Sequence, residues 1–221
     1  MSLGRFADMP ARVARLPVDH RGFPVPWFVA WRDGAPQFPV IDAGKLALAW
    51  TAERCWVCGE ALGAWRGWIV GPLSALEGAT PEPPSHCDCA GFAVTACPHL
   101  ASADARFAEN ADAAPGHVAQ ANVSRLRTDA TGIWVTRGRG ATAMRAGGGV
   151  LFRLEPPQRL EWWARRRPAT GQDVRAALDA ALPVLRRTAE AEGRAAALEA
   201  RMRWLQRWTP ADEVAATPAP G

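Results

Sequence analysis

All five cysteines of the chain fall between positions 55 and 97, in three short groups that also contain two histidines. Cys55-Trp56-Val57-Cys58-Gly59 is a C-x2-C-G knuckle. A tight turn there aims two thiolates at one point, lets backbone N–H groups donate to the sulfurs, and uses Gly59 to turn the chain back closely. His86-Cys87-Asp88-Cys89 offers a second pair of donors, His86 and Cys89, spaced i and i+3 at the start of a predicted helix. Thiolates in a first helical turn sit near the positive end of the helix. Cys55, Cys58, His86 and Cys89 together make a set of three sulfurs and one imidazole nitrogen, a normal complement for structural Zn2+. Four protein donors leave no open position for water, so such an ion stabilises rather than catalyses.

Other sets compete. Cys87 can replace His86 beside Cys89, and Cys97 or His99 can enter from the far end of the helix. Cys89 and Cys97 are about 12 Å apart along an unbroken helix, too far for one ion to take both. Buried thiols without metal, with Cys97 as a small core residue, are the plain alternative. Disulfides do not fit a chain with no apolar leader in its first residues, which points to a cytoplasmic location where thiols stay reduced.

The elements around these residues are readable from pattern. Trp27–Trp31 and Phe38–Ile41 read as short strands joined by the turn residues Arg32 to Pro36. Asp42 caps a helix to about Ala52 that places Leu46, Leu48 and Trp50 partly inside. Trp68–Val70 is a strand ended by Gly71-Pro72, and Ser85 is the expected N-cap of a helix from His86 to about Cys97. A knuckle, a strand or hairpin, and a helix whose first turn completes the donor set is the layout of a treble-clef zinc finger, which this segment resembles.

Further along, Gly132–Thr136 and Val150–Leu154 read as an antiparallel strand pair joined by a long glycine-rich loop. Pro157–Trp163 reads as a helical turn. Thr170-x-x-Asp173 resembles a capping box opening a helix over Val174, Leu178 and Leu185, with Pro183 kinking or restarting it. Gly193 is a break before a second stripe, Leu198, Met202, Leu205 and Trp208. The expected fold class is α+β: a treble-clef-like zinc segment packed with short antiparallel strands and a C-terminal helical pair. The expected divisions are an N-terminal segment 1–52, the zinc segment 53–100, strands and helices over 101–208, and a Pro/Ala-rich tail 209–221.

The same residues resemble a family of uncharacterised bacterial and phage proteins. The likeness runs through His20-Arg21-Gly22-Phe23-Pro24-Val25-Pro26-Trp27-Phe28, the knuckle with Glu60, Pro83-Pro84-Ser85-His86 through Cys89-Ala90, Ala96-Cys97-Pro98, and Arg167-Pro168-Ala169-Thr170. In that pattern position 87 is variable, so the resemblance favours His86 with Cys89. It implies no activity.

Composition bounds the rest. The chain has 221 residues, 48% of them hydrophobic, enough to build a core without disulfides. It holds no apolar run of membrane-spanning length. The formal charge is +4, and Lys45 is the single lysine, so the arginines reflect a compositional bias as much as a phosphate-binding role. The glycine clusters at 138–140 and 147–149 match no phosphate loop. Arg137 and Arg139 in the glycine-rich loop, and Arg165, Arg166 and Arg167 beside Trp162 and Trp163, are the candidate nucleic-acid contacts, set against a solvated loop and a helix end. His20, Trp27 and Trp31 are candidate pocket residues of an enzyme, and a His-Asn-His nuclease set would need Asn110 or Asn122 with a second histidine that the helix after His86 lacks. The reading these residues favour is a binding or interaction module built around structural Zn2+, with protein or nucleic acid as partner and no membrane. A nucleic-acid binder and a small enzyme are the alternatives.

Overall fold

The computed structural model describes residues 6, 8–97, 100, 129–146, 149–179 and 182–212. His99, Asn110, His117 and Asn122 lie outside the described residues, as do Gly147 and Gly148. The architecture is α+β with antiparallel sheets. A short helix α1 (Ala11–Ala14) precedes the hairpin β1 (Val29–Arg32) and β2 (Ala35–Ile41). Its turn places Asp33 and Gly34 at positive φ, the backbone that tight hairpins require. Helix α2 (Ala43–Thr51) follows, with the Asp42 carboxylate accepting from the N–H groups of Gly44 and Lys45 as expected. Leu48 corrects the expected inner face: it is exposed, and Ala49 is buried instead.

A four-stranded sheet has the order β3 (Trp65–Val70), β5 (Ala130–Arg137), β8 (Arg159–Ala164), β9 (Arg167–Pro168). A three-stranded sheet has the order β4 (Ala79–Thr80), β7 (Gly149–Leu154), β6 (Ala141–Ala146). Gly132–Thr136 and Val150–Leu154 are therefore strands, in β5 and β7, but each pairs elsewhere: β5 with β3 and β8, and β7 with β6 and β4. The segment expected to be a helical turn, Pro157–Trp163, is largely β8. Leu160, Trp162 and Ala164 are buried in alternation, the period of a strand rather than a helix. Gly71-Pro72 does end β3, but Pro72 is also the first residue of helix α3 (Pro72–Glu77), where its missing N–H costs nothing.

Among the described residues, three helices follow the strands: α5 (Gly171–Asp179), α6 (Leu182–Ala191), with Pro183 in its first turn, and α7 (Ala195–Gln206). Gly193, at φ +66°, makes the expected break before α7. The main core joins both larger sheets to these helices through Trp68, Trp134, Phe152, Trp162, Val174 and Leu205. Buried indoles need partners for their N–H groups. Trp68 donates to Thr136 Oγ1 at 2.9 Å, Trp134 to the Glu155 carbonyl at 2.9 Å, and Trp162 to the Trp208 carbonyl at 3.0 Å. The last stretch before residue 212 is thus bound back onto the sheet. The Gly171 N–H also donates to the Ala211 carbonyl at 3.0 Å, and Arg175 pairs with Asp212. Among the described residues, no helix is long and apolar enough to cross a membrane.

Candidate metal centre

The first half of the site is a hairpin loop made by the backbone. The Cys55 N–H donates to the Glu60 carbonyl and the Gly59 N–H to the Cys55 carbonyl, both at 2.8 Å. The Leu62 N–H reaches the Glu53 carbonyl, also at 2.8 Å. These bonds curl residues 55–59 so that both thiols face inward. Gly59 has φ +77°, and a Cβ there would lie 2.6 Å from the Trp27 indole. Only glycine gives both the left-handed backbone and that approach.

The second half is delivered by helix α4 (Cys87–Ala96). Ser85 is not its cap. Ser85 is buried and exchanges two 2.8 Å backbone bonds with Gly67 on β3, and His86 takes the N-cap position. The Trp56 N–H donates to the Pro84 carbonyl at 3.0 Å, tying the knuckle to the approach of the helix. Gly67 leaves room for the helix on the sheet: a Cβ there would sit 3.1 Å from the Ala90 methyl. In chain order the knuckle is followed by β3, α3 and β4, after which Ser85 returns to pair with Gly67 of β3 and α4 begins.

Cys55, Cys58, His86 and Cys89 come together. One donor atom from each lies within 4.8 Å of the others. His86 Nδ1 is 3.5 Å from the Cys58 sulfur and 3.8 Å from the Cys89 sulfur. A Zn–N bond of about 2.0–2.1 Å and Zn–S bonds of about 2.3 Å around a tetrahedral ion would place the nitrogen about 3.6 Å from each sulfur. The separations suit such an ion. None of the five cysteines is in a disulfide. The other ring nitrogen, Nε2, lies 2.9 Å from the Ala61 carbonyl. A proton on Nε2 donated to that oxygen leaves the Nδ1 lone pair facing the sulfurs, the orientation that a metal-ligating histidine needs. The Cys55 sulfur accepts from the N–H groups of Cys58 and His86, each at 3.4 Å.

Electrostatics shows what the donor set lacks. Burial opposes ionisation of Cys55, but hydrogen bonds from Cys58, Cys89 and His86 outweigh it and hold its thiol far below the ordinary range. The bond to Cys55 pushes Cys58 up to about 11 and, with Cys58, drives Cys89 higher still. His86 is raised by the same Cys55 sulfur. Without a cation the cluster favours a thiolate at Cys55 and opposes ionisation of Cys58 and Cys89. A divalent ion would let all three sulfurs ionise.

The competing donors Cys87 and Cys97 are elsewhere. Cys87 packs on the other side of α4, against the cluster of Ala90, Val94, Ile133 and Val135. Cys97 is the C-cap of the helix. Residues 9–16 cover the sulfurs instead. Val13 on α1, 1% exposed, packs with Cys55, Cys58 and Cys89, and Met9 and Leu16 flank it. Arg12 approaches Asp88 in the first turn of α4 at 3.6 Å, and Arg15 pairs with Glu60.

The arginines singled out from sequence fall at two opposite ends of the central sheet. Register places Ala130 beside Ala164 and Val135 beside Arg159. Arg165–Arg167 therefore sit past one end of the β5–β8 pair and Arg137 past the other. Arg165 and Arg166 form a turn at φ +49° and +67°, not a helix end. Arg165 and Arg167 both bind the Asp173 carboxylate, at 2.8 Å each. Arg166 is exposed on the turn. Arg137 lies over the Trp65 ring at 6.0 Å, and Arg139 over Trp50 at 4.6 Å. His20 and Trp31 are exposed. The Asp19 carboxylate is turned to Arg21 and Phe23, not to His20.

Sequence reading missed two carboxylates. Glu53 binds Arg66 at 2.8 Å and Arg139 at 3.3 Å. Burial pushes the Glu82 carboxyl up to about 7. Neither stands in a motif, and the only signal for Glu82 was its place in the proline run at 81–84. No family model, curated protein or solved structure matches the chain, so what stands of the sequence resemblance is the Cys/His pattern itself.

Proposed function

We propose that Cys55, Cys58, His86 and Cys89 hold one structural Zn2+ and that the chain works as a binding or interaction module organised by that ion. The observation that carries this reading is the convergence of three sulfurs and His86 Nδ1 within 4.8 Å, with the opposite ring nitrogen occupied by the Ala61 carbonyl. Bound there, zinc would supply charge neutralisation for thiolates that otherwise repel one another, and it would cross-link the knuckle to α4. A complete protein donor set is the pattern of structural rather than hydrolytic zinc. The Val13 cover, which packs apolar surface on the sulfurs, favours the same role.

Elemental analysis of protein purified without chelator tests this. One zinc per chain is expected, with loss of metal in Cys58→Ser and in Cys89→Ser and retention in Cys87→Ser. Protein that lacks metal, or that keeps it in the first two variants, would overturn the proposal.

A further inference from the structure

The sulfurs of the metal centre lie under a strap, residues 9–16, that is held differently from the rest of the site. Val13 packs on Cys55, Cys58 and Cys89, with Met9 and Leu16 beside it. None of these three side chains is among the four donors. The backbone bonds of the strap stay within it. Val13 and Ala14 donate to the Pro10 carbonyl at 2.8 and 3.0 Å, and Leu16 to the Val13 carbonyl at 3.0 Å. Among the described residues, no backbone hydrogen bond joins residues 9–16 to the knuckle or to α4. Two ion pairs make those connections instead. Arg15 reaches Glu60 just past the knuckle, and Arg12 approaches Asp88, between His86 and Cys89, at 3.6 Å. The strap thus spans the same two halves of the site that the donors span. Both pairs are open to solvent, which makes them weak and screened by salt. The four residues of α1 have little helical stability of their own. The knuckle, by contrast, is fixed by backbone bonds, including the one from Trp56 to the Pro84 carbonyl.

We propose that this strap gates the metal: it lifts to let an ion enter, and it lifts again before a chelating acceptor can reach the sulfurs and take the ion away. Lifting breaks no backbone ladder. It uncovers Val13 and parts two solvent-screened ion pairs, so it belongs with the local openings that need far less energy than global unfolding. Because the strap supplies no donor, it slows entry and exit alike and sets rates more than affinity. The inference rests on the reading of Cys55, Cys58, His86 and Cys89 as a zinc site, and it adds a means of regulating that site. Anything that draws residues 9–16 aside would release the ion faster.

Transfer of zinc from the intact chain to an excess of chromophoric chelator, followed by stopped-flow absorbance, tests this on protein whose zinc content is measured first. Val13→Ser should keep one zinc per chain and release it about tenfold faster, the factor expected when one buried valine contact is lost. Its zinc affinity, from competition titration, should move by much less than that factor. Val174→Ser, the same change in the main core, should leave the release rate near that of the parent. Arg12→Gln combined with Arg15→Gln touches only solvent-facing groups, so folding is not at stake. That variant should release zinc about threefold faster at low salt, and the acceleration that added salt produces in the parent should be lost. Loaded protein with parental release rates in both strap variants overturns the gate and leaves the metal reading standing. Equal acceleration in Val174→Ser, or a loss of zinc affinity in Val13→Ser as large as its gain in release rate, overturns the gate as well, because the strap would then act on stability and not on access. Protein without zinc overturns the metal reading, and the gate with it.

Discussion

The thiol cluster and the box around Asp173 both gather polar side chains in a part-buried setting, but they balance charge differently. In the box, two arginines, a threonine and an aspartate lie within nine residues of sequence. The Asp173 carboxylate accepts from Arg165, Arg167, the Thr170 N–H and the Thr170 hydroxyl, and the Asp173 N–H returns a bond to Thr170 Oγ1 at 3.2 Å. Burial opposes ionisation there, and bonds from Arg167, Thr170 and Arg165 outweigh it, holding the carboxyl well below its usual range. The box contains its own countercharge. The thiol cluster joins residues 55–58 to residues 86–89 and has none of sufficient size. A local cluster can be completed by its neighbours in sequence, whereas this one, assembled across loops, is a Cys3His group that could take its countercharge from a metal ion.

The largest test of that contrast is removal of the ion. Chelation, or Cys55→Ser, should lower the melting temperature steeply and abolish the cooperative transition of the knuckle and α4, since structural zinc contributes roughly 10–16 kcal/mol of apparent binding energy in small domains. Circular dichroism melts with and without chelator measure this, and Asp173→Asn should show the same chelator response as the parent. Metal binding should also release protons, because the thiols of Cys58 and Cys89, pushed up by the Cys55 sulfur, hold theirs in the absence of a cation. Zinc affinity should therefore fall as pH falls, as competition titrations at several pH values would show.

Next in size is Gly59→Ala, which meets both a left-handed backbone and the Trp27 ring and should cost about 3 kcal/mol in denaturant melts, with weaker zinc retention. Asp173→Asn should cost about 2 kcal/mol, the range for hydrogen bonds to a charged group. Its pH signature has a definite sign. A carboxyl whose folded value is depressed stabilises fully above its unfolded value near ~4 and loses that contribution as pH falls further. The stability difference between parent and Asp173→Asn should thus shrink below that pH. The smallest expected effect is Thr170→Ala, about 1 kcal/mol, the cost of a lost cap. Equal chelator sensitivity of the two clusters would erase the contrast between them.

Legibility followed the same division between local and assembled structure. The Thr170–Asp173 box and the Asp42 cap are short-range devices, and spacing alone exposes them. The Cys/His cluster was legible because metal ligands have few permissible types and spacings, and the residues favoured His86 with Cys89 while leaving Cys87 open as an alternative. The structure separates them by the side of α4 that each occupies. Strand β8 was misread because Pro157 and two adjacent tryptophans suggest a helix start, while the alternation of Leu160, Trp162 and Ala164 is only three positions long. Strand β6 is alanine-rich between glycines, with little apolar signal of its own, and is recognisable only from its pairing with β7. The turn at Arg165-Arg166 carries no glycine or asparagine to announce its positive φ.

The carbonyls of Trp208 and Ala211 accept from Trp162 and Gly171. During synthesis the ribosome delivers those acceptors some forty positions after their donors. Until they emerge, the indole of Trp162 has no mate and the start of α5 has no brace. A nascent chain stalled shortly before that point would hold an unfinished sheet, exposed to chaperones and proteases, and completion would arrive only with the final few residues of this stretch.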